Sequence, residues 1–229
     1  MTDSANRGPH LVVHPTSVMR RYGYWIVLFL SAIAYGFCAI QDTPNPGPFA
    51  FLAQLATVAV ALWIAEVPAA LLRVSWAALA IAGAAAVAVA IVGTGGLVLD
   101  VLLSGASIVA CLIAPAAIIS HQVKVRGLGF QDLLAAICAY VLIGMMFTFV
   151  YNFIGLVTQA PIFEDGGADS LTRQLFFSFT TLTTTGFGNI VPVGPVIETV
   201  AVVEAIVGQL FLVMVVANIV TARAALRSN

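Results

Sequence analysis

The stretch of this 229-residue chain with residue types suited to chemistry is Thr183-Thr184-Thr185-Gly186-Phe187-Gly188-Asn189. β-Branched threonines followed by alternating glycines make a poor helix. Gly186 and Gly188 can take backbone angles closed to other residues, so successive carbonyls can all turn to one side. A row of carbonyl oxygens aimed at an axis can replace the hydration shell of a cation. Just before it, Leu171–Leu182 is moderately apolar and too short to cross a bilayer, which suits a re-entrant helix. Ser170 is placed to cap that helix by accepting from free amides of its first turn. The negative C-terminal end of the helix would then point at the cation.

Composition says what must surround such a segment. The chain is 61% hydrophobic and 8% charged, with a mean hydropathy of +1.06. A water-soluble domain carries roughly 25% charged residues. The apolar content suffices for about six spans at roughly 20 residues each. A net charge of -1 and a pI of about 6.2 argue against a nucleic-acid footprint, which would show as a basic stripe. Cys38, Cys111 and Cys138 all fall in apolar runs without metal-like spacing, and read as packing residues rather than a disulfide framework.

Six apolar runs follow one another: Tyr24–Ile40, Phe49–Leu72, Val74–Val92, Leu97–Ser120, Leu133–Val157 and Val196–Ala222. The first competes with a signal-peptide reading, but no small-residue cleavage site follows it. The runs are continuous rather than alternating, so a β-barrel is excluded and helices are the remaining way to satisfy the backbone in lipid. With six spans, eight of the nine Lys and Arg fall on one side, and Arg173 alone lies on the other. The positive-inside rule then makes both termini cytoplasmic. Tyr22, Tyr24 and Trp25 are expected to anchor the first span at the interface.

The segment Thr184-Thr185-Gly186-Phe187-Gly188-Asn189 is similar to the potassium-channel signature, Thr-Val-Gly-Tyr-Gly-Asp in its commonest form. Upstream, Phe176-Phe177-Ser178-Phe179-Thr180-Thr181-Leu182-Thr183 is similar to a potassium-channel pore helix. Downstream, Gly208 stands twenty positions after Gly188, where such channels often carry a flexible glycine. The chain thus resembles the potassium-channel pore-loop superfamily in its six-span, prokaryotic-type form. The resemblance covers Leu133–Ala222.

That resemblance implies an all-α integral membrane protein with six transmembrane helices, a re-entrant pore helix and a selectivity filter. It implies stacked K+ sites at the carbonyls of Thr184, Thr185, Gly186 and Phe187, with the Thr184 hydroxyl closing the inner end, Gly188 making the exit turn and Asn189 at the filter exit. One chain supplies one such segment, so a homotetramer closes the ring. Phe187 in place of Tyr loses a hydroxyl that would tether the filter to the pore helix. Thr180 and Asn189 remove a carboxylate pair that some family members use behind the filter. Altered filter stability or inactivation is the expected consequence. The domains implied are a cytoplasmic tail (1–21), a peripheral four-helix bundle (22–126), a pore domain (127–222) and a short cytoplasmic tail (223–229).

The other polar residues read in more than one way. Gly208 is a gating hinge or a helix-packing residue. Glu204, in the outer half of the last span, is a modulatory carboxylate or a hydrogen-bonded structural one. Glu66 lies two turns before Arg73 and reads as an ion pair or a snorkelling group. Pro68 and Pro115 read as local kinks. Glu164, Asp165 and Asp169 would concentrate cations at the mouth or merely solvate a loop. His121, Lys124 and Arg126 read as a linker meeting lipid headgroups.

The first four spans have the layout of a voltage sensor, yet Leu97–Ser120 carries no basic residue. Each gating arginine is worth about 2.3 kcal/mol per 100 mV, so steep voltage gating by that helix is not expected. The seven residues after Ala222 are too few for a soluble ligand-binding domain. The expected function is passive, K+-selective conduction in the plasma membrane, with K+ as permeant ion, no cofactor, lipids and its own copies as partners and no nucleic acid.

Alternatives are a poorly selective monovalent cation channel, through Thr185 and Asn189, or a non-conducting regulatory subunit. A membrane enzyme or receptor using Glu66, His121 and Asp132 is a further alternative. No HExxH, GxSxG or paired-carboxylate pattern supports it. A phosphate cradle would need a third glycine where Val191 stands.

Overall fold

The structure is a computed structural model, and it describes residues 15–40, 48–64, 80, 83–84, 96–122, 130–164, 166 and 169–227. The span expected at Val74–Val92, apart from residues 80, 83 and 84, lies outside the described residues. So do Glu66, Pro68, Arg73, Lys124, Arg126 and Asp165.

The described residues form six helices and no strand. These are α1 (Pro15–Ala39), α2 (Pro48–Ile64), α3 (Leu97–Gln122), α4 (Phe130–Thr158), α5 (Leu171–Leu182) and α6 (Pro195–Arg227). α1 starts nine residues before the apolar run, inside the stretch read as tail. Its proline at the first helical position carries a preset φ and lacks an amide that would be unsatisfied there anyway. α3 continues through Pro115, which is buried. Among the described residues, two helices are long and apolar enough to cross a membrane, over Asp132–Thr158 of α4 and Pro195–Asn218 of α6.

α4 is the central element, in contact with α1, α3, α5 and α6. Small and polar side chains join these helices where two backbones come close. The Ser104 hydroxyl donates to Asn152 Oδ1 across α3 and α4 at 2.7 Å, and Gln54 Nε2 donates to Cys111 Sγ between α2 and α3. All three cysteines are buried and free of disulfides. Tyr24 is buried in the core rather than at an interface, while Trp25 is exposed.

α5 is short and amphipathic. Leu171, Gln174, Leu175, Ser178 and Leu182 recur at helical spacing on one buried stripe. The helix starts after Ser170, whose side chain accepts from the Arg173 amide. It lies against α4 at Gly144, where a β-carbon would stand 2.7 Å from the Phe179 ring. It also touches α1, through a T-shaped contact of Tyr35 with Phe179 and a hydrogen bond from Thr172 Oγ1 to the Cys38 carbonyl.

α6 is the least covered helix, touching only α4 and α5 among the described helices. Over its most apolar stretch 17% is buried, against 56% for α4. Val202, Val203, Ile206, Leu210 and Val213 are exposed.

Gly144→Val should displace the Phe179 ring and cost roughly 1–3 kcal/mol, the usual range for overpacking. The expected outcome is a lower thermal midpoint for the detergent-solubilised protein. A midpoint equal to wild type would show that the α4–α5 contact is looser than described.

Candidate functional site: the segment after the short helix

The last four carbonyls of a helix lack partners within it. In α5 all four find partners nearby. The Phe179 carbonyl accepts from the Thr183 amide and from Thr183 Oγ1. The Thr181 carbonyl accepts from the Thr184 amide at 2.9 Å. The Thr180 carbonyl accepts from two successive amides, Thr185 at 2.8 Å and Gly186 at 3.2 Å. The Leu182 carbonyl accepts from the Tyr140 hydroxyl of α4 at 3.1 Å.

This arrangement orients the chain that follows. A trans peptide is planar, with its N–H and C=O pointing in opposite directions, and no described peptide is cis. The amides of Thr184, Thr185 and Gly186 turn back into the end of α5. The carbonyls of Thr183, Thr184 and Thr185 therefore point away from it, on the exposed side. Positive φ at every second residue, Thr184 (54°), Gly186 (52°) and Gly188 (75°), continues the pattern. Such alternation keeps successive amides on one side of the chain. Residues 183–189 are all exposed.

Thr184 is a β-branched residue in the left-handed region, a conformation that costs of order 1–3 kcal/mol and clusters at functional sites. Its side chain is held at both ends. Thr184 Oγ1 donates to the Thr183 carbonyl at 2.7 Å and accepts from Gln209 Nε2 of α6 at 2.9 Å. Thr183 gives its own proton to Phe179, so the 2.8 Å contact between Thr183 and Thr185 hydroxyls is donated by Thr185.

Phe187 stacks on Phe176 of α5, with centroids 5.7 Å apart and planes 17° from parallel. The ring thus contacts α5 without the hydroxyl that a tyrosine would bring. Beyond Asn189 the chain is pinned to the loop before α5. The Glu164 amide donates to the Val191 carbonyl and the Val193 amide to the Ile162 carbonyl. Asp169 Oδ2 accepts from the Ile162 amide. This gives Asp169 a structural partner, while Glu164 is exposed.

Gly208 lies in an unbroken stretch of α6, and a β-carbon there would land on the Leu182 carbonyl. The missing side chain is what lets α6 approach the end of α5. Glu204, one turn earlier, is fully buried. Its two oxygens lie 2.6 Å from the Tyr151 hydroxyl of α4 and 2.6 Å from the Ser178 hydroxyl of α5. Sequence reasoning missed Tyr140, Tyr151, Ser178 and Gln209. Their signal is a polar group inside an otherwise apolar helix, which in α6 also picks out Glu204.

Residues 157–224, from the end of α4 through α5 and its following segment into α6, match the model of a family described as an ion channel. A comparison of the whole chain with curated proteins finds no match. The family match supports ion-channel function and a membrane protein. It is a family of channels and not of enzymes, which supports a non-enzymatic chain.

Gly208→Ala drives a methyl group into a backbone oxygen that cannot rotate away. Tyr140→Phe removes one hydrogen bond, worth about 0.5–1.5 kcal/mol. Thermal melts of both variants should show Gly208→Ala as the more destabilised. The reverse order would mean that α6 shifts away from α5 without penalty.

Proposed function

We propose that this protein is one subunit of a K+-selective channel. Four copies surround an axis, and the carbonyls of Thr184, Thr185, Gly186 and Phe187 replace the water of a dehydrated K+. The observation that carries this reading is the tie between the amides of residues 184–186 and the end of α5, which commits the carbonyls of Thr184 and Thr185 to the exposed side. Among the described residues of one chain Thr184 and Thr185 are exposed, and irregular backbone within a membrane must be buried in protein or line a watery cavity. A ring of four supplies that surrounding. The bare apolar face of α6 supports cover by neighbouring subunits and lipid.

In this arrangement the Thr184 hydroxyl, which gives its proton to Thr183 and takes one from Gln209, keeps one lone pair for an ion at the inner end. Gly188 makes the exit turn and Asn189 stands at the outer mouth. Gly208 lets α6 back onto the pore helix, which also places a flexible residue at the level where α6 would bend as a hinge. Spans one to four form a peripheral bundle without gating arginines, so opening is not steeply voltage-dependent. Both termini face the cytoplasm, and the chain sits in the plasma membrane.

The purified protein in liposomes should carry K+ flux that barium blocks. Gly186→Ala forces a side chain into the left-handed region at roughly 1–2 kcal/mol and should abolish that flux. Reversal potentials in mixed Na+ and K+ should follow the K+ gradient. Potentials that follow neither ion would favour a poorly selective channel, and absence of flux a regulatory subunit.

Phe187→Tyr should change the decay of current during steady activation, because a hydroxyl would be added to a ring that stacks on Phe176. An unchanged decay would remove the ring from the stability of the filter.

A further inference from the structure

Behind the segment that follows α5, three helices meet on four oxygen-bearing groups, all buried, one of which, the Gly144 carbonyl, also accepts from the Thr148 hydroxyl at 3.0 Å. Ser178 Oγ lies 2.8 Å from the Gly144 carbonyl and 2.6 Å from Glu204 Oε1. Tyr151 Oη lies 2.6 Å from Glu204 Oε2. Ser178, Tyr151 and Glu204 are each 0% exposed.

The protons in this chain can be counted. Three short oxygen–oxygen contacts need three protons, one in each. A carbonyl oxygen brings none, and each hydroxyl brings one. Tyr151 supplies the proton of its own contact with Glu204. Ser178 has a single proton for two acceptors, and sharing it would lengthen both contacts rather than leave them at 2.8 and 2.6 Å. The Gly144 carbonyl can only accept, so Ser178 donates there. The remaining contact is completed by a proton on Glu204.

The environment agrees with that count. An ionised carboxylate out of water requires a cationic partner or several donors. The hydrogen-bonding partners of Glu204 among the described residues are two hydroxyls.

The geometry points to Glu204 as a neutral carboxylic acid that donates to Ser178 and accepts from Tyr151, and so acts as the positioning residue holding α6 and α4 to the pore helix behind the filter. The filter role rests on the channel reading above, whereas the proton assignment does not. Ser178 lies two residues before Thr180, whose carbonyl holds the amides of Thr185 and Gly186. Glu204 lies one turn before Gly208, which packs on Leu182. The acid therefore sets the spacing between two helices that both touch the filter.

The test uses the full chain in lipid at neutral pH and has two parts. The infrared difference between wild type and Glu204→Gln should show the carbonyl band of a protonated carboxylic acid, and Ser178→Ala should shift that band. A difference showing carboxylate bands alone would overturn the proton assignment.

In reversal-potential measurements, Glu204→Gln keeps one donor and one acceptor at the same reach and should retain the wild-type K+ over Na+ ratio. Ser178→Ala and Glu204→Asp, which is one methylene shorter, should lower it about tenfold, equivalent to about 1.4 kcal/mol. An acid band accompanied by wild-type selectivity in both of those variants would overturn the positioning role. A wild-type protein without K+ selectivity would overturn the channel reading instead, leaving the proton assignment to the spectrum.

Discussion

A peptide unit cannot present its N–H and its C=O to the same side. Most of this protein's architecture around α5 follows from that constraint. The carbonyls at the end of a short buried helix need donors; the amides of residues 183–186 serve three of them and the Tyr140 hydroxyl the fourth. Once those amides are committed, the carbonyls attached to them must face the other way. A helix terminus that needed satisfying thus becomes the template for a row of exposed oxygens.

The template works only if the end of α5 is itself held still. α4 provides the platform, with Gly144 admitting the Phe179 ring and Tyr140 closing the last free carbonyl. α6 provides the counter-wall, with Gly208 against Leu182 and Gln209 on the Thr184 hydroxyl. Glu204 joins the two walls through Ser178 and Tyr151. Tyr140, Tyr151, Ser178, Glu204 and Gln209 are polar groups in helix interiors, and Gly144 and Gly208 leave room that a side chain would fill. Their use is to fix position. The left-handed Thr184 is the visible strain in the arrangement, and it is bonded on both sides of its hydroxyl.

Much of this was legible from the residues. The limits of α5 and its Ser170 cap follow from a polar residue preceding a short apolar stretch and a threonine run that cannot continue a helix. Glycine at 186 and 188 permits the positive φ found there. The apolar runs located α3, α4 and α6 to within a few residues, because composition and length decide a long apolar helix. α1 begins about two and a half turns before its apolar run, because polar helical turns carry no hydropathy signal.

The contacts between helices were not legible. Nothing in the spacing says that Tyr140 reaches Leu182 or that Tyr151 and Ser178 converge on Glu204, because those meetings depend on how α4, α5 and α6 cross. The two readings of Gly208 could not be separated for the same reason. Its place against a backbone carbonyl appears only once α5 and α6 are set side by side.

The most direct measurement is an experimental density map of the assembled protein in K+. A tetrameric K+ pore should show ion density stacked on a fourfold axis, between the carbonyls of Thr184, Thr185, Gly186 and Phe187 from four chains. A map with this stretch far from any symmetry axis, or wound into ordinary helix, would contradict it.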